Sequence, residues 1–228
     1  MRDKSTKTHA ADTTDDTPYA CKPRVGVASP AVLDVIIGIP VKPFAAAKRR
    51  LAAVLDDAGR ARLGKELAER TVATVTESGA SPLVLSADDL VTEWAHDIGV
   101  EVLLDEGSSL DEAAGAAVTE ARHQRGAWAI LHADLPLLTS RHLVAAVETL
   151  SAGGAVIAPS SDGGTSLVGC SLDVFSFSYG PGSFHRHLAA LAALSPAVVV
   201  SRGLCLDLDT PEDLTAAIGA GGGAWLIE

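Results

Sequence analysis

Four cations, Lys42, Lys48, Arg49 and Arg50, fall within nine residues directly after the first apolar run, "DVIIGIPV". Three carboxylates occupy comparable places further on. Asp134 follows the apolar "AWAILH" in "LHADLPLL", and Asp207 and Asp209 alternate with Leu206 and Leu208 in "LDLDTPEDL". Cations and carboxylates placed this way suit a metal-dependent phosphate site. Magnesium takes oxygen ligands and is held by one or two carboxylates together with substrate phosphates. Asp134 would equally serve as a helix cap or in a turn with Pro136. On an extended strand, Asp207 and Asp209 point to the same side, where two carboxylates call for a cation. The other reading is a solvent-facing edge with Asp209 in the following cap. Lys48 and Arg50 suit neutralisation of a triphosphate, or a solvated turn before a helix. Pro40 and Pro43 stiffen this loop. The small side chains of "FAAA" let backbone N–H groups approach phosphate, partly doing the work of glycine.

Two further loops offer glycine and hydroxyl groups: "SSDGGTS" (160–166) and the start of "YGPGSFHRHL" (179–188). Backbone N–H groups at a helix N-terminus attract anions. Ser183 suits both a cap and a ligand contact, and ordinary turn chemistry accounts for either loop alone. His185 and His187 are two apart in an expected helix, face different sides and make a poor metal pair. His132 is expected to pack on its strand. The C-terminal "GAGGGA" lacks the strand–turn–helix setting of a dinucleotide loop. Neither a Walker A sequence nor a G-x-S-x-G elbow occurs.

The elements that must position these residues alternate along the chain. Strands are expected at 34–41, 82–86, 100–104, 127–132, 154–159, 166–170, 197–201 and 204–209. Helices are expected at Asp57–Glu77, Leu90–Ile98, 109–124, Thr139–Leu150, Ser183–Leu194 and from Thr210, with Thr210 as N-cap and Pro211 first in the helix. Such alternation predicts an α/β fold, a mainly parallel sheet covered on both faces, with ligands beyond the carboxyl ends of its strands. Residues 1–33 are polar and aperiodic and read as a disordered extension. The domain spans 34–220, and 221–228 reads as a tail.

The formal net charge of -11 argues against general nucleic-acid binding. No apolar run approaches a membrane span. The three widely spaced cysteines show no zinc or redox spacing and read as free thiols of a cytoplasmic protein.

Five segments in order, "IPVKPFAAAKRRL", "HADLPLL", "GGTSLVG", "YGPGSFHRHL" and "LDLDTPEDL", resemble the phosphoenolpyruvate/2-phospho-L-lactate guanylyltransferases of coenzyme F-420 biosynthesis, over about residues 34–220. The resemblance implies a single-domain, three-layer α/β/α nucleotidyltransferase fold of the GT-A-like, molybdenum-cofactor guanylyltransferase-like kind. It implies a cytoplasmic enzyme that condenses GTP with phosphoenolpyruvate, or with 2-phospho-L-lactate or 3-phosphoglycerate, releasing pyrophosphate. The product would be enolpyruvoyl-2-diphospho-5'-guanosine in the phosphoenolpyruvate case, and its acid portion would pass to a downstream deazaflavin transferase. The resemblance further implies that Asp134, Asp207 and Asp209 are catalytic and hold magnesium, two ions in the fullest form. Lys42, Lys48 and Arg50 would receive the nucleotide, and backbone groups of Thr165, Gly180 and Ser183 the carboxylate of the acid. Asp111 stands where the family commonly has Asn, which puts a nucleotide contact there in question or leaves Asp111 as a helix cap. Two alternatives stand beside this one: another nucleotidyltransferase of the superfamily, and a non-catalytic nucleotide-binding regulatory protein. The sequence leaves the oligomeric state open.

Overall fold

The computed structural model describes residues 32–104, 109–222 and 224–226. The expected N-terminal extension lies, up to residue 31, outside the described residues.

β1 (Val35–Pro40) is buried along nearly its whole length, as a central strand covered on both faces must be. It pairs in parallel with β2 (Ser81–Ser86) and β4 (Ala127–Leu131), and β2 pairs in parallel with β3 (Glu101–Leu104). β5 (Val156–Pro159), β6 (Thr165–Cys170) and the two-residue β7 (Ala197–Val198) complete a sheet in the order β3-β2-β1-β4-β6-β5-β7. β6 alone runs against its neighbours, antiparallel to both β4 and β5. The reason is local. No helix separates β5 from β6. The chain reverses through residues 160–164, where Ser160 N–H donates to the Gly164 carbonyl at 3.0 Å.

Alternate strand residues feed two apolar layers. Val35, Ile37 and Ile39 pack with α1 (Asp57–Glu77), α2 (Asp89–Asp97) and α4 (Ser140–Ser151). Ile36, Leu83, Trp128 and Ile130 pack with α3 (Leu110–His123), and the same layer takes in Leu188 of α5 (Ser183–Ala190). The three-layer arrangement expected from the alternation is therefore present. α1 starts where Asp56 Oδ1 accepts the Gly59 N–H at 2.7 Å. α7 (Pro211–Gly219) starts at a capping box in which Thr210 and Asp213 satisfy one another's backbone N–H groups.

Several expected elements are corrected. Residues 204–209 form no strand: Leu204 and Cys205 close a short helix, α6 (Arg202–Cys205), capped by Ser201. Leu208 is buried, and its N–H donates to the Asp134 carbonyl at 2.9 Å. The alternation of leucines thus marks an extended segment with one backbone bond to the Asp134 turn, short of a ladder. The strand expected at 197–201 shrinks to β7. The helix expected to reach Leu194 ends at Ala190, and a 3-10 turn follows. The segment read as a tail packs through Leu226 against Leu51, Leu208 and Ala217, and Trp225 lies under the Arg70 guanidinium at 4.0 Å.

β1 and β4 are parallel, so the loops that follow them leave the same edge of the sheet. β6 is antiparallel to β4, which brings its first residue, Thr165, to that edge too.

Candidate active site

Lys48 lies at the centre of this edge. Its backbone is left-handed (φ 51°), an uncommon conformation for a residue with a side chain. That turn aims the ammonium inward, and the side chain is only 9% exposed. Lys48 Nζ donates to Asp134 Oδ2 at 3.0 Å and to Asp209 Oδ1 at 3.1 Å. Arg50, on the solvent side, reaches Asp209 Oδ2 at 3.6 Å. Burial works against the Lys48 charge, but the two carboxylates outweigh it and hold its pKa above the ordinary value. Burial likewise works against the Asp134 charge. Lys48, then His132, outweighs it and keeps the carboxyl below its usual range.

Asp207 is turned elsewhere. Its Oδ1 accepts from Ser161 Oγ at 2.8 Å, and the segment before it is tied down by Ser161 N–H donating to the Cys205 carbonyl at 2.7 Å. Burial pushes the Asp207 carboxyl up, the Ser161 hydrogen bond pulls it down, and the charges of Asp134 and Asp162 add to the rise. Asp207 and Asp209 therefore do not meet at one point with Asp134. Among the described residues no group of three metal-ligating side chains is close enough to hold an ion. The reason is the missing strand. Without a regular ladder, residues two apart need not present a common face.

Does magnesium fit these residues? Asp134 Oδ1 is buried and has no hydrogen-bond partner among the described residues, an orphan that a cation would satisfy. Asp134 and Asp209 share a single ammonium, so two carboxylates stand close together beneath an open edge. That set matches the one or two carboxylates magnesium takes from protein, with phosphates supplying the rest.

The same edge of the sheet carries a neutral group. Thr165 Oγ1 is 3.1 Å from Ser183 Oγ and 3.0 Å from His187 Nδ1, and all three residues are buried. Gly180 is held at φ 105°, a conformation closed to other residues without strain, and Gly182 at φ 71° leads into α5. The Ser183 N–H donates to the Gly180 carbonyl at 3.0 Å, so the backbone group expected to face a ligand is engaged within its own turn. Asp111 caps nothing: Ser109 caps α3, while Asp111 Oδ1 accepts the Tyr179 N–H at 2.8 Å. Lys42 is exposed and makes no side-chain bond among the described residues.

His187 belongs to this neutral group, although in the sequence it stands out only as half of a poor metal pair with His185. Its i+4 spacing from Ser183, with aromatic residues just upstream, was the available signal. His132, expected to pack on its strand, has a buried Nε2 without a partner among the described residues.

The family model described as "Guanylyl transferase CofC like" matches residues 35–225. The chain belongs to this guanylyl transferase family. A phosphoenolpyruvate guanylyltransferase of Rubrobacter xylanophilus is 36% identical over 201 residues, covering 83% of this chain and 96% of that protein. A 2-phospho-L-lactate guanylyltransferase of Methanothermobacter thermautotrophicus is 32% identical over 179 residues, covering 77% and 80%. In fold, the chain is similar to a putative nucleotide-diphospho-sugar transferase of Desulfovibrio desulfuricans, with a TM-score of 0.67 at 18% identity, covering 83% of this chain and 88% of the other. Family membership makes the chain a GTP-dependent nucleotidyltransferase, and these relatives give no support to the regulatory alternative. Among the described residues no helix is long and apolar enough to cross a membrane.

Proposed function

We propose that the chain transfers the GMP unit of GTP to phosphoenolpyruvate, with 2-phospho-L-lactate and 3-phosphoglycerate as the alternative acceptors. The observation that carries this reading is Lys48 bridging Asp134 and Asp209 at the sheet edge, in a chain whose relatives bear guanylyltransferase names. An oxygen of the acid's phosphate attacks the α-phosphorus of GTP, a new P–O bond forms, and the α–β bond breaks to release pyrophosphate. The attacking phosphate is ionised at neutral pH, so no protein base is required, and catalysis rests on positioning and charge neutralisation.

Asp134 and Asp209 would hold magnesium, with Asp207 flanking. When bound, magnesium supplies neutralisation and polarisation of the α-phosphate. Lys48 and Arg50 neutralise the triphosphate, with Lys42 at the mouth of the loop. As phosphates arrive, the Lys48 ammonium exchanges carboxylate partners for phosphate oxygens. The loop beside Thr165, Gly180 and Ser183 receives the acid's carboxylate. The phosphoenolpyruvate reading fits the Rubrobacter relative, whose name specifies that acid.

Pyrophosphate release from GTP and magnesium, with each of the three acids supplied separately and an acid-free control, tests the reading. The downstream deazaflavin transferase is included to draw off product. Fastest release with phosphoenolpyruvate is expected. Fastest release with another acid would reassign the acceptor. No release with any acid, from folded protein that binds GTP, would refute the reaction.

A further inference from the structure

His187 lies outside the charge chemistry described above, yet it is wholly buried. The rings of Tyr179, Phe175 and Phe177 pack around it, with centroids at 4.9, 5.8 and 6.1 Å. Its hydrogen bonds fix its tautomer. The Ser178 N–H donates to Nε2 at 2.9 Å, so Nε2 carries the lone pair. The single hydrogen of the neutral imidazole is then on Nδ1 and is donated to Thr165 Oγ1. Ser178 is not free to turn away. Arg186 Nη2 donates to its carbonyl at 2.8 Å, and Arg186 Nη1 to the Pro181 carbonyl at 2.8 Å.

The hydrogens of this triad can now be counted. The imidazole brings one, and each hydroxyl brings one. Two hydrogen bonds join the three groups, Nδ1 to Thr165 and Thr165 to Ser183. Whichever hydroxyl donates in the second bond, one hydroxyl hydrogen is left over. Neither hydroxyl has another acceptor among the described residues. A buried donor left unmatched is costly. The natural partner is a group that only accepts, and an ionised carboxylate does only that.

We propose that His187 is a positioning residue that locks the Thr165–Ser183 pair so that its spare hydroxyl hydrogen is presented to the carboxylate of the phospho-acid. This rests on the reaction proposed above and deepens it. The Ser183 N–H is spent on the Gly180 carbonyl, so at Ser183 the hydroxyl is the group left to meet the acid. A protonated Nε2 would set its own N–H against the Ser178 N–H and abolish that bond, so the neutral form belongs to the working state.

His187→Phe keeps an aromatic ring and removes both bonds. His187→Asn keeps a donor close to the Nδ1 position. Steady-state kinetics with phosphoenolpyruvate and GTP varied in turn should show KM for the acid raised about tenfold or more in His187→Phe, the worth of one hydrogen bond to a charged group. KM for GTP should stay within about twofold, and His187→Asn should recover most of the loss. An unchanged KM for the acid, or equal rises in both KM values, would overturn the proposal. Should His187→Phe fail to fold, Thr165→Val and Ser183→Ala carry the same test. Nitrogen NMR of histidine-labelled wild type reads the tautomer directly: hydrogen on Nδ1 is expected, and hydrogen on Nε2 refutes the count. If wild type performs no guanylyl transfer, the reaction reading fails by itself. Calorimetric binding of phosphoenolpyruvate to wild type and His187→Phe then decides the relay, equal affinity counting against it.

Discussion

One wall of the candidate site is built from full charges and another from neutral groups. Lys48, Asp134, Asp209 and Arg50 form the first, and the Asp209 side chain is 41% exposed. His187, Thr165 and Ser183 form the second, and none is more than 1% exposed. The charged wall can exchange partners, because the Lys48 ammonium can trade its carboxylates for phosphate oxygens while the freed carboxylates take a cation. The neutral wall is held more firmly, because the Ser178 N–H fixes the His187 tautomer and the imidazole in turn donates to Thr165. A mobile wall suits a triphosphate whose charge must be neutralised as pyrophosphate leaves. A fixed wall suits discrimination of a small acid by shape and hydrogen-bond direction.

The sharpest way to break this contrast is Asp134→Ala. It removes the buried orphan Oδ1 and one Lys48 partner together, and turnover should fall about 1,000-fold or more, with acid binding nearly intact. Pyrophosphate release and calorimetry read the two effects. Lys48→Met comes next. It leaves Asp134 and Asp209 close together with only the exposed Arg50 beside Asp209, so turnover should fall about 100-fold. Stability should fall by about 2 kcal/mol, less than for a fully buried pair because Asp209 meets solvent. Added magnesium should raise the melting temperature of this variant more than that of wild type.

The neutral wall should appear in pH dependence. Burial holds His187 at about 4, against an ordinary 6.5. Between those values the unfolded chain binds a proton that the folded one refuses, so stability falls as pH drops through that window. The His187 contribution is fully present above about 6.5 and is lost on approach to about 4, on the order of 3 kcal/mol in all. Urea melts at stepped pH should show this slope in wild type and a shallower one in His187→Phe. The smallest effect expected is that of Asp111→Asn. Its Oδ1 can still accept the Tyr179 N–H, so KM for either substrate should move less than about twofold.

The layered fold was legible because it rests on periodicity. The extent of α1 follows from its apolar stripe, while its Asp56 cap emerges only in the structure, and the start of α7 follows from Thr210 and Pro211. The edge of the sheet was harder. Leucine alternation at 206–209 marks burial of Leu208 but says nothing about whether a neighbouring strand exists to form a ladder. The grouping of Lys48 with Asp134 and Asp209 was half legible: the residue types pointed to phosphate chemistry, while their mutual bonds depend on one left-handed backbone turn at Lys48. His187 was legible only through its i+4 spacing from Ser183, because its bonds to the Ser178 N–H and to Thr165 come from two separate segments of the chain.

The most direct measurement follows the label of [α-32P]GTP incubated with phosphoenolpyruvate, magnesium and the wild-type chain, beside Asp134→Ala. Label should move into a guanosine diphosphate-linked acid with wild type and stay in GTP with the variant. Label that remains in GTP with folded, GTP-binding wild type, or that moves equally well with Asp134→Ala, would contradict guanylyl transfer at this site.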